Sequence, residues 1–552
     1  TEAVFQFESR GMQGMLRDAK PTRLEDLIAL NALYRPGPMD LIPSFVARKH
    51  GREPVDYPHP AVAEMLSETY GIMVYQEQVM QTAQVLGGYS LGGADMLRRA
   101  MGKKKPEEMA EHRVIFRKGA AEKGISQEKA DEVFDLMEKF AGYGFNKSHA
   151  AAYSLLAYHT GWLKVHYTAE FYAANMTVEM DNTDKLAVLH ADALNFGISF
   201  LPPDVNQGTY RFEPVSNTCV RYGLGAIKGS GEQAIVNLVA ARTEGGPFTS
   251  LFDFCCRVDK GRVNKRTVEA LIKAGAFDSL NPNRAALLGS VEKAFEFAAA
   301  TAANANQGGL FDMFDDGDSH GSSTQEPDLA EVAPWGIKER LTYEKTAIGF
   351  YLSGHLFDEV EHEVRRFVRT RLADLSDARE PQTLAGIVTD LRIINGQRGK
   401  LGLFRLDDKT GSVEASADEN LLNQHREVLK DDELVILQGI VQNDRFSGGL
   451  RFKVQQVWSL GAARCRFAKY LRVGVGSQPA PVAQVVATHP PQREMAEQGE
   501  LVRGVPVRLA IERPTVRCEL QLDERSLFFP SDAALAHWSK AAHPLRAELV
   551  YD

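Results

Sequence analysis

Two arginines and three lysines stand around one glycine in MLRRAMGKKKPEEM, residues Met96 to Met109. A guanidinium fork matches phosphate oxygens in pairs, and lysines such as Lys103 and Lys104 add point charges that a polyphosphate can use. On a helix Arg98 and Arg99 lie about 100° apart around the axis, so one can face an anion while the other pairs elsewhere. The same run also reads as a solvated basic face. In GYGFNKSHAAAY (Gly142 to Tyr153), Phe145 stands beside the donors Asn146, Lys147, Ser148 and His149, ahead of small residues that can open a helix. A lone histidine in such a place also reads as packed or as a helix cap. Singly, these segments say only that an anion can be held.

A third segment, YGLGAIKGSGEQAIVNLVAAR (Tyr222 to Arg242), sets Lys228, Gly229, Ser230 and Gly231 before an apolar-periodic stretch. Glycines there allow a tight turn whose N–H groups point at a phosphate at the next helix start, as in a helix-hairpin-helix; an ordinary turn is the alternative. VNKRTVEALIKAGAFDSL (Val263 to Leu280) is a weaker second copy. Such hairpins hold duplex DNA by its backbone without reading sequence. Further on, QGGLF (Gln307 to Phe311) puts an apolar Leu310-Phe311 pair in a Gly- and Asp-rich stretch, where nothing nearby in the chain obviously buries it.

The elements that must position these residues follow from periodicity. Residues 1 to about 200 read as helical, with amphipathic runs such as Gln127 to Phe140, until Leu201-Pro202-Pro203-Asp204 breaks the pattern. Short helices with glycine turns follow from Tyr222 to Leu280, then a flexible linker from Asn304 to Ala333, then a helical piece from Ile337 to Val368. Strands are expected at Thr383 to Ile394, Lys400 to Leu406, Glu433 to Val441 and Leu450 to Val457, with a helix at Asn420 to Leu429, which suits a small oligonucleotide-binding (OB) barrel. Ala415-Ser416-Ala417-Asp418 is poor strand sequence, so one strand of the barrel is expected to be short or frayed. Arg392, Arg398, Lys400, Arg405, Arg445, Arg451 and Lys453 interleave with Phe404, Phe446 and Phe452, which suits single-stranded nucleic acid or, for the aromatics, the barrel core. A Pro-rich joint (Pro479 to Pro491) precedes a last small α/β module.

A chain of 552 residues needs several cores. Its 44% hydrophobic and 25% charged content is that of an ordinary soluble protein, and no apolar run is long enough to span a bilayer. The five cysteines (Cys219, Cys255, Cys256, Cys465, Cys518) lack metal-ligand spacing and read as reduced thiols of a cytoplasmic protein. The net charge of −9 hides an uneven distribution: bases gather at Arg98 to Lys123 and Arg257 to Lys273, acids at Asp312 to Glu331. Phosphates can therefore be bound locally by an acidic chain. The start at Thr1, with no signal peptide, reads as cut from something longer.

In order, VFQFESRGM (Val4 to Met12), ALYRPGP (Ala32 to Pro38), YGIMVYQEQVMQ (Tyr70 to Gln81), LGGADMLRRAMGKKKPEEM and FAGYGFNKSHAAAY resemble the fingers domain of the C-family polymerases, the bacterial DNA polymerase III alpha subunits. The resemblance continues through LPPDVN (Leu201 to Asn206) to the C-terminus. It implies template-directed nucleotidyl transfer with magnesium, and it assigns triphosphate binding to Arg10, Arg35, Arg98, Arg99, Lys103, Lys104, Lys147 and His149. It implies DNA binding at Lys228, Gly229 and Gly231. QGGLF resembles the peptide by which bacterial polymerases dock into the sliding clamp, with Gln307, Leu310 and Phe311 as its anchors and Phe314 as an optional extension. In the family the metal-binding palm aspartates come shortly before VFQFES, so this fragment is expected to lack catalytic residues and to be inactive alone.

The resulting expectation is a multidomain α+β chain. It comprises fingers (1–205), a helix-hairpin-helix and clamp-binding domain (206–375), an OB barrel (376–462) and a C-terminal α/β module (463–552) that binds the tau subunit of the clamp loader. Primed DNA, deoxynucleoside triphosphate, the clamp and the other core subunits are the implied partners. A non-catalytic DNA- and clamp-binding scaffold and the related error-prone polymerase are the rival readings.

Overall fold

Short polar caps mark the helix starts. Ser9 accepts the Met12 N–H at the head of Arg10–Ala19, and Asn146 accepts the His149 N–H at the head of Lys147–His166. Each cap satisfies a donor that no helical carbonyl can reach. Side-chain spacing then sets the faces: Ala130, Val133, Phe134 and Met137 recur at helical intervals along Gln127–Ala141, and all are buried. The computed structural model describes residues 1–103, 106–141, 144–311, 325–396, 399–443, 450–475, 482–496, 499–513, 516–542 and 546–551. The chain divides into two units: Thr1–Ala330 with Ala347–Phe350, and Glu331–Thr346 with Tyr351–Asp552.

The first unit begins with two helical cores. Arg10–Ala19, Leu24–Leu33, Ile42–Lys49 and Lys147–His166 close around Phe7, Leu30, Phe45 and Ala150. Gln76–Gly87, Leu91–Lys103, Pro106–Glu122 and Gln127–Ala141 close around Phe116 and Phe134, whose ring centroids are 5.6 Å apart. A Cβ on Gly119 would stand 1.8 Å from the Gly87 carbonyl oxygen, so glycine is required where these two backbones touch.

Three short strands follow, Ser199–Leu201, Glu213–Ser216 and Cys219–Arg221, with the last in the middle of the sheet. None is expected from the sequence, because strands of three or four residues are too short to display a period of two. The helices Glu232–Gly245, Leu251–Arg257, Lys265–Lys273, Arg284–Gly289 and Val291–Phe311 complete this part. The last of them overrides the expected start of a linker at Asn304, since an alanine-rich run favours helix. Residues 312–324 of that linker lie outside the described residues. Its end is anchored: Lys293 Nζ donates to the Asp328 carbonyl at 2.8 Å, and the Ala330 N–H donates to Ser290 Oγ at 2.8 Å. Ala347–Phe350 returns to this unit, where the Lys228 N–H donates to the Ala347 carbonyl at 2.8 Å and Phe350 packs 4.9 Å from the His190 ring.

The second unit contains a closed five-stranded barrel. Its strands in sequence are Ala378–Gly396, Gly399–Asp407, Ser412–Asp418, Leu434–Asn443 and Leu450–Trp458, in the spatial order first, second, third, fifth, fourth. The third strand is a correction to the frayed strand expected there. Every residue from Ser412 to Asp418 pairs with the second strand, and Val413, Ala415 and Ala417 alternate inward. Their small side chains fit because Phe404 and Phe452 fill the middle of the barrel. The interposed helix is shorter than expected, Glu419–Gln424.

The boundary expected at 375 also moves. Leu341, Phe357, Val364 and Val368 pack on Ala385, Ile387 and Ile436 of the barrel, whereas Ala347–Phe350 within the same stretch belongs to the first unit. The C-terminal sheet runs Val516–Gln521, Val507–Arg513, Tyr470–Val475, Ala547–Val550, with Trp538 and Phe528 in its core. Within the expected Pro-rich joint a helix forms at Val482–Thr488, because Val485 is buried in that core. Arg464, almost wholly buried, joins Glu363 in a two-fold ion pair (2.8 and 2.7 Å) and reaches Asp532 at 2.6 Å, while the Tyr551 hydroxyl donates to Glu363.

Candidate functional site

Tyr75 and Phe145 form an isolated bridge: the Gln76 N–H donates to the Phe145 carbonyl at 2.9 Å, and the Phe145 N–H donates to the Val74 carbonyl at 3.1 Å. Tyr75 stands one residue and Phe145 two residues ahead of a helix, so the bridge brings the starts of Gln76–Gly87 and Lys147–His166 side by side. The Gln78 side chain fixes the first of these by accepting the N–H groups of Val74 and Tyr75 at 2.8 and 3.0 Å. Burial pushes the Tyr75 hydroxyl far above its usual range, which keeps this residue neutral.

Cations gather around the bridge. The Arg35 guanidinium lies 3.6 Å from the Phe145 ring centroid, a stacked cation–π contact. Arg98 reaches Gln76 Oε1 at 3.3 Å and Asp95 at 2.7 Å, and Arg99 also pairs with Asp95, at 2.8 Å. The two arginines therefore share one carboxylate, and their hydrogen bonds hold Asp95 below the usual carboxylate range, with Arg98 contributing most. Lys147 Nζ pairs with Glu68 at 2.7 Å, and Glu77 takes the Lys147 N–H at 3.0 Å and the Asn146 side-chain amide at 2.9 Å. His149 is exposed, with its ring beside Phe145 and Tyr153, centroids 5.3 and 4.4 Å away.

Five of the residues named from sequence are thus drawn to one place: Arg35, Arg98, Arg99, Lys147 and His149. Arg10 is exposed in the first turn of Arg10–Ala19 and makes no ion pair among the described residues. The adjoining Gly11 leaves room for Tyr34 Oη, which would be 1.8 Å from a Cβ there, and this seats the helix against the loop that carries Arg35. Lys103 closes the helix Leu91–Lys103, and Lys104 lies outside the described residues. Glu68, Glu77 and Gln76 were not found by sequence reasoning. Asp95 could have been, since it stands three and four residues before Arg98 and Arg99.

The hairpin region has its own geometry. Gly229 has a φ of 90°, and Gly231 heads Glu232–Gly245 with no side-chain cap. The buried Ser230 Oγ lies 2.6 Å from the carbonyls of both Leu224 and Ile227, which share its single proton, and Thr267 Oγ1 donates to the Gly229 carbonyl at 3.2 Å. The element before the turn is a 3-10 turn, Leu224–Ala226, rather than a full helix. Lys228 is exposed beside it. Gln307, Leu310 and Phe311 fall on the last turns of Val291–Phe311, their side chains outside the described residues, as is Phe314.

On the barrel, Phe404 and Phe452 are core residues and are not available for stacking. Arg392, Lys400, Arg405 and Lys453 are exposed, and Arg451 pairs with Glu414 at 3.3 Å. Arg398, Arg445 and Phe446 lie outside the described residues.

Comparison with known proteins agrees with this layout. Residues 1–124 match the bacterial DNA polymerase III alpha subunit finger domain, 197–287 the helix-hairpin-helix motif, and 382–460 the OB-fold nucleic acid binding domain. Together these define a class, a chain that joins polymerase fingers, a helix-hairpin-helix region and an OB-fold. The DNA polymerase III subunit alpha of Neisseria meningitidis serogroup B is 53% identical over 86% of this chain and 41% of its own length. Those of Vibrio cholerae and Escherichia coli K12 are 45% and 42% identical over 97% and 100% of this chain, and 46% and 48% of their own lengths. The chain belongs to the family of bacterial DNA polymerase III alpha subunits, and it spans about half the length of the curated relatives it matches.

Proposed function

We propose that this chain supplies the triphosphate-holding and DNA-holding parts of a replicative DNA-directed DNA polymerase acting in the bacterial cytoplasm. The observation that carries the reading is the convergence of Arg35, Arg98, Arg99 and Lys147 on two adjoining helix starts. In the reaction, the primer 3′-hydroxyl attacks the α-phosphate of a deoxynucleoside triphosphate and pyrophosphate leaves. The role of the arginines and Lys147 is to neutralise and orient the phosphates, which is where fixed charges lower the barrier. We assign Arg10, Lys103 and Lys104 to phosphate binding as well.

Magnesium is the metal this chemistry takes. Among the described residues no group of three His, Cys, Asp or Glu could hold a metal ion. The uncapped helix start behind Gly229 and Gly231, with Lys228 beside it, supports a contact to a DNA phosphate. With Phe404 and Phe452 in the core, the barrel's part in single-strand binding rests on its exposed bases and not on stacking by these rings. We further assign sliding-clamp docking to Gln307, Leu310 and Phe311, tau binding to the C-terminal module, and contact with the other core subunits to the whole polypeptide.

Titration of a fluorescent deoxynucleoside triphosphate into the chain and its Arg98→Ala and Lys147→Ala variants tests the central assignment. Weaker binding by both is expected. Unchanged binding by both would return these residues to structure.

A further inference from the structure

Among the described residues, Arg98, Arg99 and Lys147 at the bridge are already held by carboxylates. Glu68 holds Lys147 with both oxygens, at 2.7 and 2.8 Å, across 79 residues of sequence. Asp95 holds Arg98 and Arg99 together. Glu77 covers the first N–H of the helix Lys147–His166, where an anion would otherwise be favoured. Arg35, by contrast, makes no ion pair among the described residues and lies flat on Phe145. A carboxylate and a phosphate offer the same two-oxygen face to a guanidinium or an ammonium.

Resting on the triphosphate reading above, we infer that Glu68 and Asp95 stand in for phosphate oxygens, holding Lys147, Arg98 and Arg99 in position until an incoming triphosphate takes them over. Both carboxylates are part-exposed, with side chains 25% and 31% accessible, so each can swing into water when displaced. Exposed pairs of this kind are weak enough to exchange. The stronger charge of a triphosphate then wins the cations, whereas a singly charged anion gains little over the carboxylate it replaces. The arrangement favours polyphosphates over smaller anions, and Glu68 and Asp95 are positioning residues that set that threshold.

The test is calorimetric titration of inorganic tripolyphosphate and, separately, of a deoxynucleoside triphosphate into the full chain. Glu68→Gln and Asp95→Asn should each tighten binding about three- to fivefold, the factor that an exposed ion pair is worth. Glu68→Asp should return affinity towards the parent value. Glu64→Gln, which removes a charge from an exposed carboxylate nearby, controls for the general change in field and should have a smaller effect. Melting temperatures of all variants separate this from a structural role, which would lower stability without tightening binding. Glu68→Gln and Asp95→Asn variants that match Glu64→Gln would overturn the inference. If Arg98→Ala and Lys147→Ala also leave tripolyphosphate binding unchanged, the triphosphate reading falls with it; if they weaken binding, only the stand-in role falls.

Discussion

Replacing Glu363 by glutamine isolates the ion pair that ties the C-terminal module to the segment before the barrel. Arg464 is only 5% exposed at its side chain, and Glu363 supplies both of its parallel hydrogen bonds. The other carboxylate at Arg464, Asp532, is 82% exposed and shares its charge with water, and the guanidinium also donates to the Pro530 carbonyl at 3.0 Å. Removing one side of a buried pair leaves a charge without compensation, a loss of about 3 kcal/mol, near the low end for such sites because Asp532 remains. For a unit of this size the midpoint of thermal unfolding should fall by about 6–12 °C. Three of the four tryptophans, Trp335, Trp458 and Trp538, lie in the second unit and Trp162 in the first, so tryptophan fluorescence during urea unfolding, read on a Trp162→Phe background, follows the second unit.

The pH dependence has a definite sign. Burial alone would raise the Glu363 carboxyl, but the hydrogen bonds and charge of Arg464 outweigh it and hold the group low. A depressed value in the folded state means that the stabilisation is complete above the ordinary glutamate range, about 4.3, and fades as the pH falls through the folded value. The difference between parent and Glu363→Gln should therefore shrink in acid. A double variant, Glu363→Leu with Arg464→Met, should recover much of the loss, since a well-packed apolar pair replaces the buried charges. A loss below about 1 kcal/mol for Glu363→Gln at neutral pH, or a gap that widens in acid, would refute the argument.

Three further outcomes are expected. Binding of the chain to primed DNA should weaken steeply with salt, with a linear slope of log affinity on log salt in a fluorescence anisotropy titration, because it rests on phosphate contacts. Gly229→Ala should lower duplex affinity and cost about 1 kcal/mol or more of stability, since φ 90° strains any side chain; unchanged values for both would remove the turn from the DNA surface. Leu310→Ala with Phe311→Ala should weaken binding to the sliding clamp at least about tenfold, given roughly 1.5–3 kcal/mol for each buried side chain less the cost of ordering, as read by surface plasmon resonance.

Much of this was legible in the sequence where a pattern repeats often enough to be seen. Ala130, Val133, Phe134 and Met137 announce a helix face, and the glycines of KGSG announce the turn they make. What stayed hidden depends on partners far away in sequence. Ala415 and Ala417 look like poor strand residues until Phe404 and Phe452 are found filling the space they leave. Ile337 to Val368 reads as helical, but only packing on Ala385 and Ile436 shows which neighbour it serves. At the bridge the cations were visible and their carboxylates were not, because Glu68 lies 79 residues from Lys147.

The return of Ala347–Phe350 to the first unit has a consequence for the order in which that unit is completed. Phe350 covers His190 and stands near Tyr222, and Gly349 fits against Thr183 where a Cβ would meet it at 1.7 Å. Because Ala347–Phe350 follows Glu331–Thr346 in the chain, the first unit cannot be sealed over His190 and Tyr222 during synthesis until that intervening segment has also emerged. Limited proteolysis of stalled chains should find the region around Thr183 open when the emerged chain ends at Ala330 and protected once Phe350 has emerged. The late-arriving segment acts as a closing stitch, and a domain boundary drawn at Ala330 would cut it off.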